Sequence, residues 1–254
     1  KNNIENDQLG KKIEIARKFE ETAKINYVYK ANTGSTPEAW NSINRKEYPR
    51  FPKISLNETE TETEQNSIFL EVLNKRQSCR SFTSEPISIK KITMLLKTVA
   101  QTRDREIPKK IYPSAGMRWP IEWYLAAINV SSLSSGIYHY ESFTNSLELL
   151  QEGDPWPSLS QAFVMQEINC PAAVLILTSA FYRTWIKYGA RGSRFAHMEA
   201  GAAAMCLDLI ATEANLGVVW IGGFVDSIIF ELLDLHWDME LEAPILCIAL
   251  GYPK

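Results

Sequence analysis

Residues 194–226 read RFAHMEAGAAAMCLDLIATEANLGVVWIGGFVD, a long alanine-rich helical pattern that passes into a short apolar run and then a glycine pair. The helical part spans about Arg194 to Asn215 and stops at Leu216 and Gly217, glycine being the residue that most readily closes a helix. Gly217 to Ile221 is too short for a helix and too apolar for a surface loop, so it reads as a buried strand. A helix feeding a buried strand predicts layers of helix and sheet around one core.

Three other apolar runs have the same character: Glu122 to Val130, Ala172 to Thr178 and Ile245 to Leu250. Ahead of them, Ile68, Phe69, Val72 and Leu73 recur at helical spacing, and Pro86 introduces a second helix carrying Ile89, Ile92, Leu95, Leu96 and Val99. Strands interspersed with helices, without an internal repeat, indicate an α+β or α/β domain with a mixed sheet. The small residues Gly201, Ala202, Ala203 and Ala204 let another helix approach closely, either within the core or across a dimer interface. Both readings stay open.

Residues 1–56 are polar and mixed and read as an arm, with a helix around Lys11 to Lys24 and a turn-rich stretch from Ala31 to Pro37. The run NETETETEQN, residues 57–66, holds no apolar side chain and reads as a solvated acidic loop. The main domain is expected over 67–254.

A net charge of −3 and a pI near 5.8 give no electrostatic reason to expect nucleic acid or an anionic membrane as partner. No apolar run approaches the ~18 residues of a membrane span, and no charged-then-apolar leader opens the chain, so cytoplasmic residence is the default expectation. The chain does not open on Met, as would a piece cut from a longer protein. Cys79, Cys170, Cys206 and Cys247 lie far apart without CxxC spacing, and His139, His197 and His236 are scattered. Buried free thiols are expected, with no zinc or other metal site.

Three segments carry chemistry. RQSCRSF, residues 76–82, sets Arg76 and Arg80 four residues apart with Ser78 between. On a helix the two guanidinium groups share a face, and with Ser78 they match a phosphate or a flavin pyrimidine edge, though most Arg pairs are merely solvated. YPSAGMRWP, residues 112–120, offers Pro113 and the small Ser114, Ala115 and Gly116, which do not obstruct a flat ligand; taken alone it is a turn before a strand. Gly222 and Gly223 let backbone amides face a ligand and do not match GxGxxG, which disfavours a Rossmann dinucleotide site.

The ordered set RQSCRSF, YPSAG with its WP, GIYHY at 136–140, KYGARGSRFAHMEAG at 187–201 and LGYP at 250–253 resembles the SagB-type dehydrogenases of the nitroreductase superfamily. YPRFPKISL, residues 48–56, looks like the segment that precedes their domain, so the likeness runs from about Tyr48 to the C-terminus. The resemblance implies a nitroreductase-like α+β fold, a central mixed sheet flanked by helices, in a domain-exchanged homodimer with FMN at the subunit interface. By position, Arg76, Gln77, Ser78 and Arg80 look like the first flavin-binding cluster, and Pro113, Ser114, Ala115 and Gly116 like the segment the partner lends. Gly222 and Gly223 resemble the region beside flavin N5, and Arg194 and Lys254 are candidates for the phosphate.

Lys187 and Tyr188 resemble the Lys and Tyr that azoline-oxidising members use in catalysis. Aromatising a thiazoline or oxazoline removes a hydride equivalent and a proton from neighbouring ring atoms, and the carbon acid demands a positioned base. A nearby cation favours the phenolate of a tyrosine. The resemblance thus implies Tyr188 as base, assisted by Lys187, or the reverse, acting on a peptide or carrier-bound peptidyl substrate with dioxygen reoxidising the flavin. A carrier protein or a cyclase complex would present that substrate. The sequence departs from the family at Gln77, at Arg118 and Trp119 of MRWP, which could reshape the substrate pocket, and at Ser193. Two other readings are an NAD(P)H-dependent nitroreductase or quinone reductase, and a non-catalytic flavin-fold scaffold within a biosynthetic complex.

Overall fold

The computed structural model of the chain describes residues 2–24, 46, 48–56, 67–104, 106, 109–236 and 241–254. The stretch Ala31 to Pro37 and the acidic run 57–66 lie outside the described residues. In chain order come α1 (Asn2–Ala23), α2 (Ile68–Lys75), β1 (Ile87–Ser88), α3 (Ile89–Val99), a 3-10 turn (Ala115–Met117), β2 (Ile121–Ala127), β3 (Val130–Ser131), β4 (Gly136–Glu141) and β5 (Ser146–Glu152). Then follow α4 (Trp156–Ala162), β6 (Ala173–Ala180), α5 (Tyr182–Tyr188), α6 (Arg191–Glu213), β7 (Gly217–Ile221), α7 (Asp226–Leu233) and β8 (Glu242–Gly251). None of the described helices is long and apolar enough to cross a membrane.

Six strands form the central sheet in the order β5-β4-β2-β6-β8-β7, paired antiparallel throughout. Outside β7 the chain adds a parallel bridge, Ser78 to Val218, which makes the sheet mixed at that edge. The centre of the sheet is dry because both faces are covered. From Ala173 to Leu177, β6 is fully buried, with Leu175 and Leu177 packing among α3 and α6 and Val174 and Ile176 among α4 and α7. Two-sided burial is what a continuous apolar run without polar alternation encodes. Truncating Leu175 to Ala there would cost about 2–5 kcal/mol.

Local chemistry sets the helix ends. Ser67 and Ser88 cap α2 and α3, accepting from Leu70 N at 3.4 Å and Lys91 N at 3.3 Å. Lys91 Nζ donates to Ala214 O at 2.8 Å, where a cation meets the free carbonyls that close α6 and ties α3 to it. Helix α1 docks on the domain, Ala16 packing with Phe181, Trp185 and Ala196.

Several expectations change. Helix α2 ends at Lys75, so RQSCRSF is extended, and Arg76 and Arg80 do not share a helical face. The segment's backbone is instead drawn into pairing with β7, Cys79 N donating to Val218 O at 2.8 Å. Strands β4 and β5 were not among the predicted strands; β5 is an exposed edge whose pattern SLELLQE is as polar as a surface helix. All four cysteines are free, but only Cys247 is buried; Cys170 is exposed in the turn before β6, where the chain must leave the core. Helix α6 buries Ala200, Ala203, Ala204, Leu207 and Ala211 against the sheet, a repeat of three and four residues that makes it a core helix. That reading does not use Gly201, where an added Cβ would meet nothing within 4 Å.

Candidate active site

The structure gathers the predicted residues into two clusters. The first lies along the outer edge of β7. Ser78 bridges Val218, Phe82 bridges Pro253, and Lys254 N donates to Ser81 O at 3.2 Å, so RQSCRSF, the β7 strand and the C-terminal LGYPK lie side by side. Gln77, Ser78, Arg80 and Lys254 are exposed there, and Arg76 is half-buried. Arg76 sends its guanidinium to Asp208 of α6 at 3.7 Å. Burial raises the Asp208 carboxyl and Arg76 opposes the rise. Arg80 Nε donates to Gln166 Oε1 at 3.2 Å, and Gln166 Nε2 donates to Trp220 O at 3.0 Å, which hangs the second arginine on the end of β7 just before the glycine pair.

The two glycines differ. A Cβ on Gly223 would run into Met165, 2.8 Å from its Cβ, whereas one on Gly222 would meet nothing within 4 Å. Gly222 lines a cavity of about 270 Å³ together with Glu20, His197, Phe224 and Asp226. Gly223 is therefore needed for packing, and Gly222 leaves its backbone open to a ligand.

The second cluster joins the YPSAG turn to the end of α5. Gly116 has φ 59°, and a Cβ built on it would lie 2.6 Å from Lys187 Nζ and collide with Tyr188 Oη. The positive φ favours glycine, and a larger residue would have to displace the flexible ends of Lys187 and Tyr188. Tyr188 is half-buried and packs edge-on against Phe195 of α6 at 5.0 Å, with Lys187 Nζ 5.3 Å from its ring centre. Helix α5 stops at this pair because Gly189 takes φ 55° and returns its N–H to Trp185 O at 2.8 Å. Pro113, Ser114 and Ala115 precede Gly116 in the same turn, held by Trp119 N donating to Ser114 Oγ at 2.9 Å.

Arg118 and Trp119 act as struts between the turn and α5. Arg118 Nε donates to Arg183 O at 2.7 Å, while Arg183 returns a bond to Trp119 O at 2.8 Å and pairs with Glu122 at 2.5 Å. Behind them, His139 meets Glu148 at 2.7 Å and Glu122 at 3.5 Å. The hydrogen bond to Glu122 pushes His139 up to about 9, and His139 and Arg183 hold Glu122 below the usual carboxylate range against the opposing effect of burial. Burial lowers Lys110 to about 8 and raises Glu199, on the buried face of α6, to about 7. Glu122, Arg183, Lys110 and Glu199 were not legible in the sequence, since nothing in their spacing announces a shared network.

Within one chain the clusters are apart. Arg76 reaches α6 at Asp208, and the YPSAG turn reaches it at Glu199, nine residues or about 13 Å along the helix. Arg194 belongs to neither; it lines a cavity of about 590 Å³ with Ile15 and Phe19 of α1 and Met198 of α6, away from Lys254. The first cluster offers cations and open backbone suited to an anion and a flat ring, and the second a phenol and an amine held together.

The nitroreductase family model matches residues 73–252. A Methanocaldococcus jannaschii protein that bears the nitroreductase name is 32% identical over 182 residues, 71% of this chain and 89% of the relative. The Escherichia coli microcin B17-processing protein McbC is 29% identical over 168 residues, 63% of this chain and 60% of McbC. Among solved structures, a chain of the E. coli microcin synthetase McbBCD complex with truncated pro-MccB17 bound superposes with a TM-score of 0.78 at 21% identity, covering 96% of this chain and 94% of that one. A protein from Anabaena variabilis that bears the nitroreductase name aligns with a TM-score of 0.63 at 29% identity, over 73% of this chain and 38% of the other.

Proposed function

The chain belongs to the nitroreductase family, a family of oxidoreductases that usually bind flavin, and from that premise we propose that it is an FMN-dependent azoline oxidase acting on a peptide substrate. The observation that carries this reading is the contact of Gly116 with Lys187 and Tyr188, which holds a proton-accepting pair against the turn expected to line a flavin. The residues present fit that group. Arg76, Ser78, Arg80 and Lys254 would hold its phosphate or pyrimidine edge, and Gly222 leaves room for a ring to approach the backbone. When bound, the flavin accepts the hydride equivalent.

The chain's own residues do the rest. Tyr188 Oη takes the proton from the ring carbon of the thiazoline or oxazoline, with the Lys187 amine held 5.3 Å from its ring centre. The Arg118–Arg183 struts keep α5 and the turn in register while this happens. Separation of the two clusters along α6 supports a homodimer in which the turn and the Lys187–Tyr188 pair of one copy complete the β7 edge of the other. The peptide-processing name of McbC and the propeptide in the McbBCD structure support a peptide substrate presented within a complex. Dioxygen is the proposed final acceptor.

The test is a synthetic thiazoline peptide incubated with the flavin-loaded protein in air, read by mass spectrometry. Loss of two mass units is expected; an unchanged mass at all protein concentrations sinks the reading. The similarity to the M. jannaschii nitroreductase favours a second one, reduction of a nitroaromatic at the expense of NAD(P)H, and the same preparation distinguishes it by nicotinamide oxidation. A colourless purified protein would instead favour a scaffold.

A further inference from the structure

Helix α1 brings a buried carboxyl to the cavity at Gly222. Glu20 follows Ala16 by one helical turn, on the face that docks against the domain. It is 7% exposed, and its Oε1 has no hydrogen-bond partner among the described residues. Its Oε2 lies 3.8 Å from His197 Nε2, within ion-pair range but too far for a hydrogen bond. Glu20, His197, Asp226 and Gly222 line one cavity of about 270 Å³. A buried carboxyl left unsatisfied costs folding free energy, so what it faces is informative.

His197 Nδ1 is 2.8 Å from the backbone carbonyl of Ser193, one turn back along α6. A carbonyl only accepts, so Nδ1 carries the ring proton, and in the neutral ring Nε2 is a second acceptor facing Glu20. One nitrogen standing about 2.8 Å from each satisfies both acceptors, provided that it carries at least two N–H groups. A protonated amine meets that condition.

Charge and shape agree with this. Two carboxyl groups, Glu20 and Asp226, line the cavity against one ammonium, Lys24, whose Nζ stands 4.7 Å from the ring centre of Phe230. Burial raises the Glu20 carboxyl above its ordinary value, an effect that a cation beside it opposes. No three His, Cys, Asp or Glu side chains among the described residues are grouped to hold a metal ion, so the cation that fits is an organic donor. His197 also lines the cavity of about 590 Å³, where Ile15, Phe19 and Met198 supply apolar walls. A ligand spanning both would lay an apolar stem in the larger and a charged head in the smaller, the form of a lysine side chain.

We propose that the Glu20–His197 cavity binds a protonated primary amine, supplied by a basic side chain of the peptide substrate near its azoline. Gly222, assigned above to the neighbourhood of the flavin ring, lines the same cavity, which would hold the amine close to the reacting heterocycle. The source of the amine rests on the azoline reading; the site itself does not. Helix α1 thereby acquires a task, the selection of the peptide.

The experiment titrates flavin-loaded protein, labelled with 15N-histidine, with butylammonium chloride, His197 being assigned by His197→Gln. A saturable shift of the Nε2 resonance is expected in the parent and not in Glu20→Gln. Tetramethylammonium, equal in charge but without an N–H, should leave the resonance in place. No saturable shift, as from a cavity that holds only water, or an equal shift with tetramethylammonium overturns the site; should Glu20→Gln fail to fold, the two salts decide in the parent. A second arm compares thiazoline peptides that carry lysine or norleucine beside the ring. The parent kcat/KM should favour lysine roughly 10-fold, the worth of a charge-assisted hydrogen bond, and Glu20→Gln should erase the preference. Binding of butylammonium without a lysine preference overturns the peptide as its source. If the shift appears while no form oxidises any thiazoline, the azoline reading fails and the amine site stands.

Discussion

Gly116 and Tyr188 are so close that no β-carbon fits between the backbone of the one and the phenol oxygen of the other. Gly116→Ala must either push Tyr188 and Lys187 aside or distort a turn already at φ 59°. A loss of about 1–3 kcal/mol of stability is expected, visible as a lower Tm, together with a disproportionate fall in thiazoline oxidation. Equal Tm and equal turnover would show that the contact is not maintained in solution.

Tyr188→Phe keeps the ring that packs on Phe195 and deletes only the hydroxyl. It should retain flavin colour and lose azole formation by roughly 10²- to 10⁴-fold, the usual worth of a general base. Lys187→Ala, at an exposed position, should behave likewise with little effect on Tm. Oxidation at the parental rate by both variants removes the pair from the mechanism.

The separation of the two clusters along α6 makes the dimer testable by complementation. Arg80→Ala and Tyr188→Phe chains, each inactive, should regain about a quarter of parental activity when mixed and refolded, because half the dimers then hold one intact site of two. No recovery would mean that each chain builds its site alone. Sedimentation should give about twice the 28.9 kDa chain mass. Gly201→Arg, at a position where an added Cβ meets nothing within 4 Å, should leave the fold intact and yield monomers.

His139 ties stability to pH. Its folded value, about 9, lies above the ordinary value near 6.5, so its contribution is complete below 6.5 and is lost as pH rises through about 9. Denaturant midpoints should decline across that window, and His139→Gln should flatten the decline. An unchanged slope in the variant would place the pH dependence elsewhere.

The presence and burial of β6, β7 and β8 were legible because two-sided burial writes an uninterrupted apolar run, and α6 because alanine and leucine repeat at helical spacing. Strand β5 was not, since its exposed face leaves it without alternation. Arg76 and Arg80 were legible as a pair but not in their geometry. A helix-compatible spacing says nothing of backbone pairing to β7, which is worth more to this segment than another helical turn. The Lys187–Tyr188 pair was found through resemblance; its contact with Gly116 was not, because contacts across distant elements leave no local trace.

Composition and periodicity by themselves determined that this chain folds as helices packed on a sheet, and the ordered motifs determined its family, because burial and close backbone approach restrict residue types position by position. Only the tertiary structure decided that Arg76 and Arg80 part company toward Asp208 and Gln166, that Gly223 rather than Gly222 is filled by Met165, and that Glu199 is buried with no hydrogen-bond partner among the described residues. Those outcomes depend on which distant elements meet, and the free energy that selects them belongs to the packed whole rather than to any stretch of sequence.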